Sequence, residues 1–286
     1  MKESDAVSAE QSRQNRTTER QWQMYASHRR NIERLIVPRQ SGGKLCVLGA
    51  GNCNDLDLKW LTEVYEEVHL VDLDAAALRS AIQRQKMSAS KRIVLHAPID
   101  LTGIADCITK WPMDATLETE LRRCVQLLAE PANTPWGLCD TVLSPCVLSQ
   151  TITPARNAWR DVLPSDNRAV RAVRHALILR HLHIMAASLK PGGHGALALD
   201  LVSSEKVPQL ACITDAELPA AMDRFVASRK NFHGLEPSAM TAVLAGISGV
   251  QQIKIHQPWL WHLGLRKSFL VYGVRFTKLT AAVAGL

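Results

Sequence analysis

Apolar residues along the chain gather in short runs separated by longer amphipathic stretches. Lys44–Gly49 (KLCVLG), Val68–Asp72, Ile93–His96, Thr141–Leu143 and residues 194–201 are compact apolar segments, each short enough to be a strand. Between them, the segment after Asn54 and residues 75–84, 117–129 and 168–189 space Leu and Val at helical intervals. Strands alternating with helices of this length predict βαβ units with right-handed crossovers, in which helices cover both faces of a mostly parallel, doubly wound sheet. Two late runs, Gln252–Ile255 and Ser268–Phe276, predict strands that fold back as an antiparallel C-terminal edge, bringing the sheet to seven strands. Residues 216–231 and 236–247 predict helices in an insertion near 205–248. Ahead of the core, residues 1–20 are polar and predict a frayed tail. Trp22, Tyr25, Ile32, Leu35 and Ile36 predict a helix over 21–37, closed by Pro38 and the Ser41-Gly42-Gly43 turn. The chain thus divides into a flexible N-terminus with a capping helix (1–43) and an α/β domain (44–286).

Composition narrows the class. With 286 residues, 47% of them apolar, the chain can bury a full core without staples. Its seven cysteines lack CxxC spacing and sit in apolar runs such as LCVLG and SPCVL, so reduced thiols in a cytoplasmic compartment are expected. No stretch is apolar for long enough to span a membrane, so no membrane partner is expected. The net charge of +7 is uneven: residues 1–44 carry nine Lys/Arg against five Asp/Glu, and residues 250–286 carry five against none. Basic ends of this kind leave a nucleic-acid partner open, but without arginines interleaved with aromatics they support it weakly.

The richest local signal is LCVLGAGNCNDLDL. Gly49, Ala50 and Gly51 stand where a strand turns into a helix, and a residue without a Cβ lets backbone pass close to a ligand there. Asn54 or Asp55 can cap the following helix, whose first amides favour a negative group in the cleft. Asp72 ends the next apolar run with Leu73 beside it. A carboxylate at that strand end can accept hydrogen bonds from both ribose hydroxyls. Asp74, in the same VDLD turn, is the rival, and Asp72 is preferred because it lies at the strand end itself. Position 54 is Asn where a dinucleotide fingerprint needs its third glycine, which argues against NAD or FAD and for a ligand with a ribose but no pyrophosphate.

These features together resemble the class I S-adenosylmethionine-dependent methyltransferases over residues 44–201 and, less closely, 250–276. The family's first motif matches VLGAGNC at 47–53, with Cys53 in place of its third glycine; its ribose-binding acid matches Asp72; the acid near the adenine matches Asp100 in PIDLTG, with Leu101 beside it. The strand-four segment matches CDTVLSP at 139–145, and the LKPGG turn is present unchanged at 189–193. The resemblance implies S-adenosyl-L-methionine as cofactor, a Rossmann-like fold, and transfer of the methyl group by in-line displacement. Such a reaction needs positioning more than an acid–base triad.

The same resemblance suggests where the acceptor sits. Ser144 and Gln150 follow strand four, where Ser144 would touch cofactor or acceptor and Gln150 would orient a polar group. On the helix before strand one, Tyr25 would pack beside the methionine portion and Arg29 would meet its carboxylate. Trp259, in PWLWH before the last strand, is a further wall candidate. Cys146 has no activating partner that would make it a nucleophile. His181 and His183 point about 200° apart on one helix and there is no HExxH, so no metal site is expected. The acceptor is expected to be a small molecule, the alternatives being a nucleic-acid methyltransferase or a binding or scaffolding protein without turnover.

Overall fold

The computed structural model describes residues 5–36, 42–114, 116–228, 234–263 and 267–280. Val37, Pro38 and Ser41, and residues 229–231 of the predicted helix 216–231, lie outside the described residues. In chain order the elements are α1 (Asp5–Thr18), α2 (Ala26–Ile36), β1 (Lys44–Leu48), α3 (Leu58–Val64), β2 (Glu67–Val71), α4 (Ala75–Arg84), β3 (Ile93–His96), α5 (Ala105–Ile108), α6 (Leu117–Ala129), β4 (Cys139–Pro145), α7 (Val147–Trp159), α8 (Arg168–Ala187), β5 (Leu189–Ser203), α9 (Leu218–Ala227), α10 (Pro237–Ala245), β6 (Val250–Ile255), β7 (Trp259–Leu263) and β8 (Lys267–Lys278).

The strands form one sheet in the order β3-β2-β1-β4-β5-β8-β6. Pairing is parallel from β3 through β5 and antiparallel on both sides of β8. β7 pairs with the Lys267–Val271 half of β8 while β6 pairs with the Val274–Lys278 half, so β7 lies end to end with β6 and the sheet stays seven strands wide. This is the doubly wound, mostly parallel layout with an antiparallel edge that the class I methyltransferase resemblance implies.

Strand β1 explains why its sequence is apolar at every position. Leu45 and Val47 face a layer holding Ile32 and Leu35 of α2, Leu58 and Leu61 of α3 and Leu78 of α4. Cys46 and Leu48 face the opposite layer, with Leu121 and Cys124 of α6 and Leu177 and Leu182 of α8. Alternate side chains leave a strand on opposite faces, so a strand covered on both sides must be apolar throughout. Each fully buried Leu contributes about 2 kcal/mol of transfer free energy to this closure.

Three elements depart from the expectation. Residues 5–18, polar and predicted to fray, form α1, which docks through polar contacts rather than an apolar stripe. Asn15 Nδ2 donates to Asp74 Oδ2 (3.1 Å), Asn52 Nδ2 donates to the Asn15 carbonyl (2.5 Å), Asn54 Nδ2 donates to the Thr18 carbonyl (2.8 Å), and Ser80 Oγ donates to Glu19. Docking of this kind leaves no hydrophobic period to read. Gln150, expected simply to follow strand four, belongs with Ser149 to α7, which starts directly after β4. Cys146 turns the chain there in a left-handed conformation (φ 52°). The predicted helix over 21–37 begins as a 3₁₀ turn, Trp22–Tyr25, before α2.

Candidate active site

A cleft of about 570 Å³ opens over the carboxyl ends of β1, β2, β4 and β5 and runs on to β7 and β8. At its centre β1 ends in the Gly49–Gly51 bend, pinned to β2 by the Gly49 and Ala50 amides, which both donate to the Val71 carbonyl (2.8 and 3.1 Å). Both glycines have positive φ, 75° and 48°. Gly49 is bare for packing, since a Cβ there would lie 2.2 Å from Val147 Cγ2 in the first turn of α7. At Gly51 the nearest atom to such a Cβ would be Asn15 Oδ1 at 3.4 Å, so the requirement is the backbone angle. Cys53, at the family's third glycine, is itself left-handed (φ 48°) and buried, so the loop keeps the glycine-like bend despite the departure from the motif.

The carboxylate of Asp72 faces this bend. Its Oδ2 accepts from the Gly51 amide (2.7 Å) and its Oδ1 from the Asp74 amide (2.8 Å), and burial pushes its pKa up against the pull of those two amides. Asp74 does other work: Oδ1 accepts from Ala76 and Ala77 as the cap of α4, and Oδ2 holds Asn15. The rivalry within VDLD therefore resolves into one residue that lines the cleft, Asp72, and one that caps the next helix.

Leu73, Ile99, Asp100 and Leu101 line the same end of the cleft. Asp100 is spent locally, its oxygens accepting from the Thr102 amide and hydroxyl (2.8 and 2.6 Å) and the Ala105 amide (3.0 Å). It shapes the loop, and beside it the cleft presents the apolar Leu73, Ile99 and Leu101. The cap of α3 is neither Asn54 nor Asp55 but Asp57, which accepts from Trp60 (3.0 Å). Asp55 instead lines the cleft, where burial lifts its pKa to about 7 against the charge of Arg29.

Several expected contacts fall elsewhere. Ser144 is fully buried behind the cleft, its Oγ 2.8 Å from His181 Nε2, and burial depresses that imidazole to about 4. Arg29 does not line the cleft: its Nη1 donates to the carbonyls of Trp22 (2.9 Å) and Asn54 (2.8 Å), and its guanidinium stacks 3.6 Å above the Trp22 ring. It locks α2 to the glycine loop. Trp259 also stays off the lining, with Nε1 donating to His28 Nδ1 (3.0 Å); Trp261, two residues on, forms the wall, stacked on His28 at 4.5 Å. Tyr25 and Gln150 do line the cleft, the Tyr25 hydroxyl raised far above its usual pKa, first by burial and then by Asp55. Among the described residues no cluster of His, Cys, Asp and Glu could hold a metal, and no helix is long and apolar enough to cross a membrane.

Sequence reasoning missed three features of the site. Gln11, Asn15, Thr17 and Thr18 of α1 wall the end of the cleft that holds Asp72. Asp55 and Asp200 face the middle, and Trp261 and Phe269 close the far end. Asp200 ends the apolar run GALALD just as Asp72 ends VHLVD, so the rule that found one carboxylate would have found the other.

No protein-family model matches the chain, and no curated protein matches it in sequence. Solved structures similar to it include the N-methyltransferase NodS from Bradyrhizobium japonicum WM9, 12% identical over 90% of this chain and 97% of its own, with a TM-score of 0.45. An O-methyltransferase family protein from Burkholderia thailandensis is 14% identical over 95% of this chain and 60% of its own, with a TM-score of 0.46. The YcgJ protein from Bacillus subtilis is 10% identical over 90% of this chain and all of its own, with a TM-score of 0.48. At these identities and TM-scores the likeness adds nothing to what the cleft's own residues establish.

Proposed function

We propose that the protein is an S-adenosylmethionine-dependent methyltransferase acting on a small molecule. The observation that carries this reading is the Asp72 carboxylate turned onto the Gly51 amide at the head of the cleft. A carboxylate has about four acceptor positions, so one holding two backbone amides keeps capacity for a pair of ribose hydroxyls. Leu73, Ile99 and Leu101 give the apolar surface an adenine ring requires, and Asp55 stands ready for an ammonium group. No pyrophosphate cradle of three glycines is present, in keeping with a nucleoside rather than a dinucleotide.

S-adenosylmethionine would supply a methyl group on a sulfonium, a leaving group that needs no acid. The chain's own contribution is then alignment and the exclusion of water. The walls made by α1 on one side and by Tyr25, Trp261 and Phe269 on the other serve both ends. A cleft of about 570 Å³ lies in the range of small-molecule sites, which favours a small acceptor over a nucleic acid. The cytoplasm is the compartment we propose, since all seven cysteines are free. Incubation with the tritium-labelled methyl donor and an extract of small metabolites tests the proposal: label should move into a low-mass product, and label transferred only to added RNA or DNA would overturn the small-molecule reading.

A further inference from the structure

Asp200 faces the cleft far from Asp72, with a buried carboxyl oxygen that lacks a hydrogen-bond partner among the described residues. β5 carries one extra residue against β8, with Asp200 opposite Val271 and Val202 opposite Leu270. Such a bulge bends a strand end and re-aims its side chains. Leu199 and Leu201 remain in the core on the α8 side, while Asp200 turns to the cleft. It is only 5% exposed. The Ser149 hydroxyl lies within hydrogen-bonding reach of the carboxyl group, but Oδ1 is buried with no partner among the described residues. Burial lifts the group to about 7.

The unpartnered Oδ1 lone pairs call for an N–H or O–H, and a positive charge beside the group would favour its ionised, accept-only form. The surroundings discriminate between the two. Asp55 is a second carboxyl on the same cleft, and after burial both Asp200 and Asp55 help to raise the Cys146 thiol. Tyr25, Trp261 and Phe269 supply ring surface, with Tyr25 and Trp261 edge to face at 5.3 Å and Trp261 and Phe269 also at 5.3 Å. With Asp55 left to the cofactor's own ammonium, a second positive charge relieves both the buried Asp200 carboxyl and the aromatic wall. A neutral hydroxyl relieves only the unpartnered oxygen. The lateral position is also suited to an acceptor. Along the order β2-β1-β4-β5, Asp200 stands three strand spacings from Asp72, about 15 Å with the offset along the strands, which is beyond a ribose held by Asp72.

We infer that the methyl acceptor is an amine that enters as an ammonium ion, seated between Asp200 and the Tyr25–Trp261–Phe269 wall, with Asp200 as the base that takes its proton. This rests on the methyltransferase reading. The ammonium gives one proton to the Asp200 carboxylate and becomes a neutral amine. Its lone pair then forms the new N–C bond as the C–S bond breaks, the electrons of that bond stay on sulfur, and the positive charge passes from sulfur to nitrogen.

The test is calorimetric and uses cofactor analogues in which a tertiary nitrogen replaces the sulfur and carries a 2-aminoethyl, 2-hydroxyethyl or propyl arm in place of the methyl group. The aminoethyl analogue should bind the wild-type protein at least about tenfold more tightly than the propyl one, the scale of a hydrogen-bonded charge. Asp200→Asn should erase that preference while leaving the affinity for S-adenosylhomocysteine within about twofold. The inference is overturned if the propyl arm binds as well, if the hydroxyethyl arm binds best, if Asp200→Asn keeps the preference, or if it weakens S-adenosylhomocysteine equally, which would assign Asp200 to the cofactor's own ammonium. Failure of S-adenosylhomocysteine to bind the wild-type protein would instead defeat the methyltransferase reading itself.

Discussion

Replacing Asp200 by asparagine should make the protein more resistant to heat as pH rises, relative to wild type. In the folded protein burial holds the Asp200 carboxyl protonated up to about 7, against 3.8 for an unperturbed carboxyl. A carboxyl with a raised folded pKa contributes fully below its unfolded pKa, and that contribution is lost as pH climbs to the folded value. A shift of about three units corresponds to about 4 kcal/mol, all of it lost by about pH 8. Asparagine does not titrate, so the variant escapes this loss. Its NH₂ in place of an unpartnered oxygen adds an offset that does not change with pH. Unfolding entropy for 286 residues is about 0.6 kcal/mol per kelvin, so the gap between variant and wild type should widen by about 7 °C from about pH 4 to about pH 8. Thermal unfolding followed by circular dichroism across that range measures it. Parallel curves would mean that Asp200 ionises normally, which would refute its burial as the cause of its unusual state.

Other consequences follow from neighbouring contacts. Gly49→Ala should destabilise the fold by about 3 kcal/mol, since it combines a positive φ with a Cβ 2.2 Å from Val147; adding Val147→Ala should recover part of that loss in a urea titration. Asn15→Ala removes the link from α1 to Asp74, costing about 1 to 2 kcal/mol, and hydrogen exchange should speed up in residues 11–18 while β1 amides stay protected. His28 is buried and held neutral, its pKa depressed to about 3 first by burial and then by Arg29. A depressed histidine contributes above its unfolded pKa of about 6.5, and that contribution is lost as pH falls toward 3, so His28→Gln should flatten the acid limb of the stability profile; an unchanged acid limb would count against it.

How much of this was legible in the sequence depended on the kind of force at work. Helices α4 and α6 and strands β1 to β3 were read nearly to the residue, because burial on a regular element leaves a pattern, whereas β5 runs several residues beyond its apolar run and β7 was not foreseen. Helix α1 was not, because Asn15, Thr18 and Glu19 dock it by hydrogen bonds and polar docking has no period. The Gly49–Gly51 bend and Asp72 were legible from their positions at strand ends. Ser144 and Arg29 were misplaced because sequence gives the strand end but not the direction of a side chain: Ser144 points back to His181 and Arg29 reaches Asn54. Trp259 was chosen over Trp261 for a related reason, since both are buried on one face of β7 and only their depth along the strand decides which meets the cleft.

The central claim is that Asp72 and the glycine bend hold the ribose of an adenosyl cofactor. Titrating S-adenosylhomocysteine into wild type and Asp72→Asn, with matched circular-dichroism spectra, tests it most directly. The structure predicts one saturable site whose affinity falls about tenfold or more in the variant; equal affinities, or no binding to the wild-type protein, would contradict it.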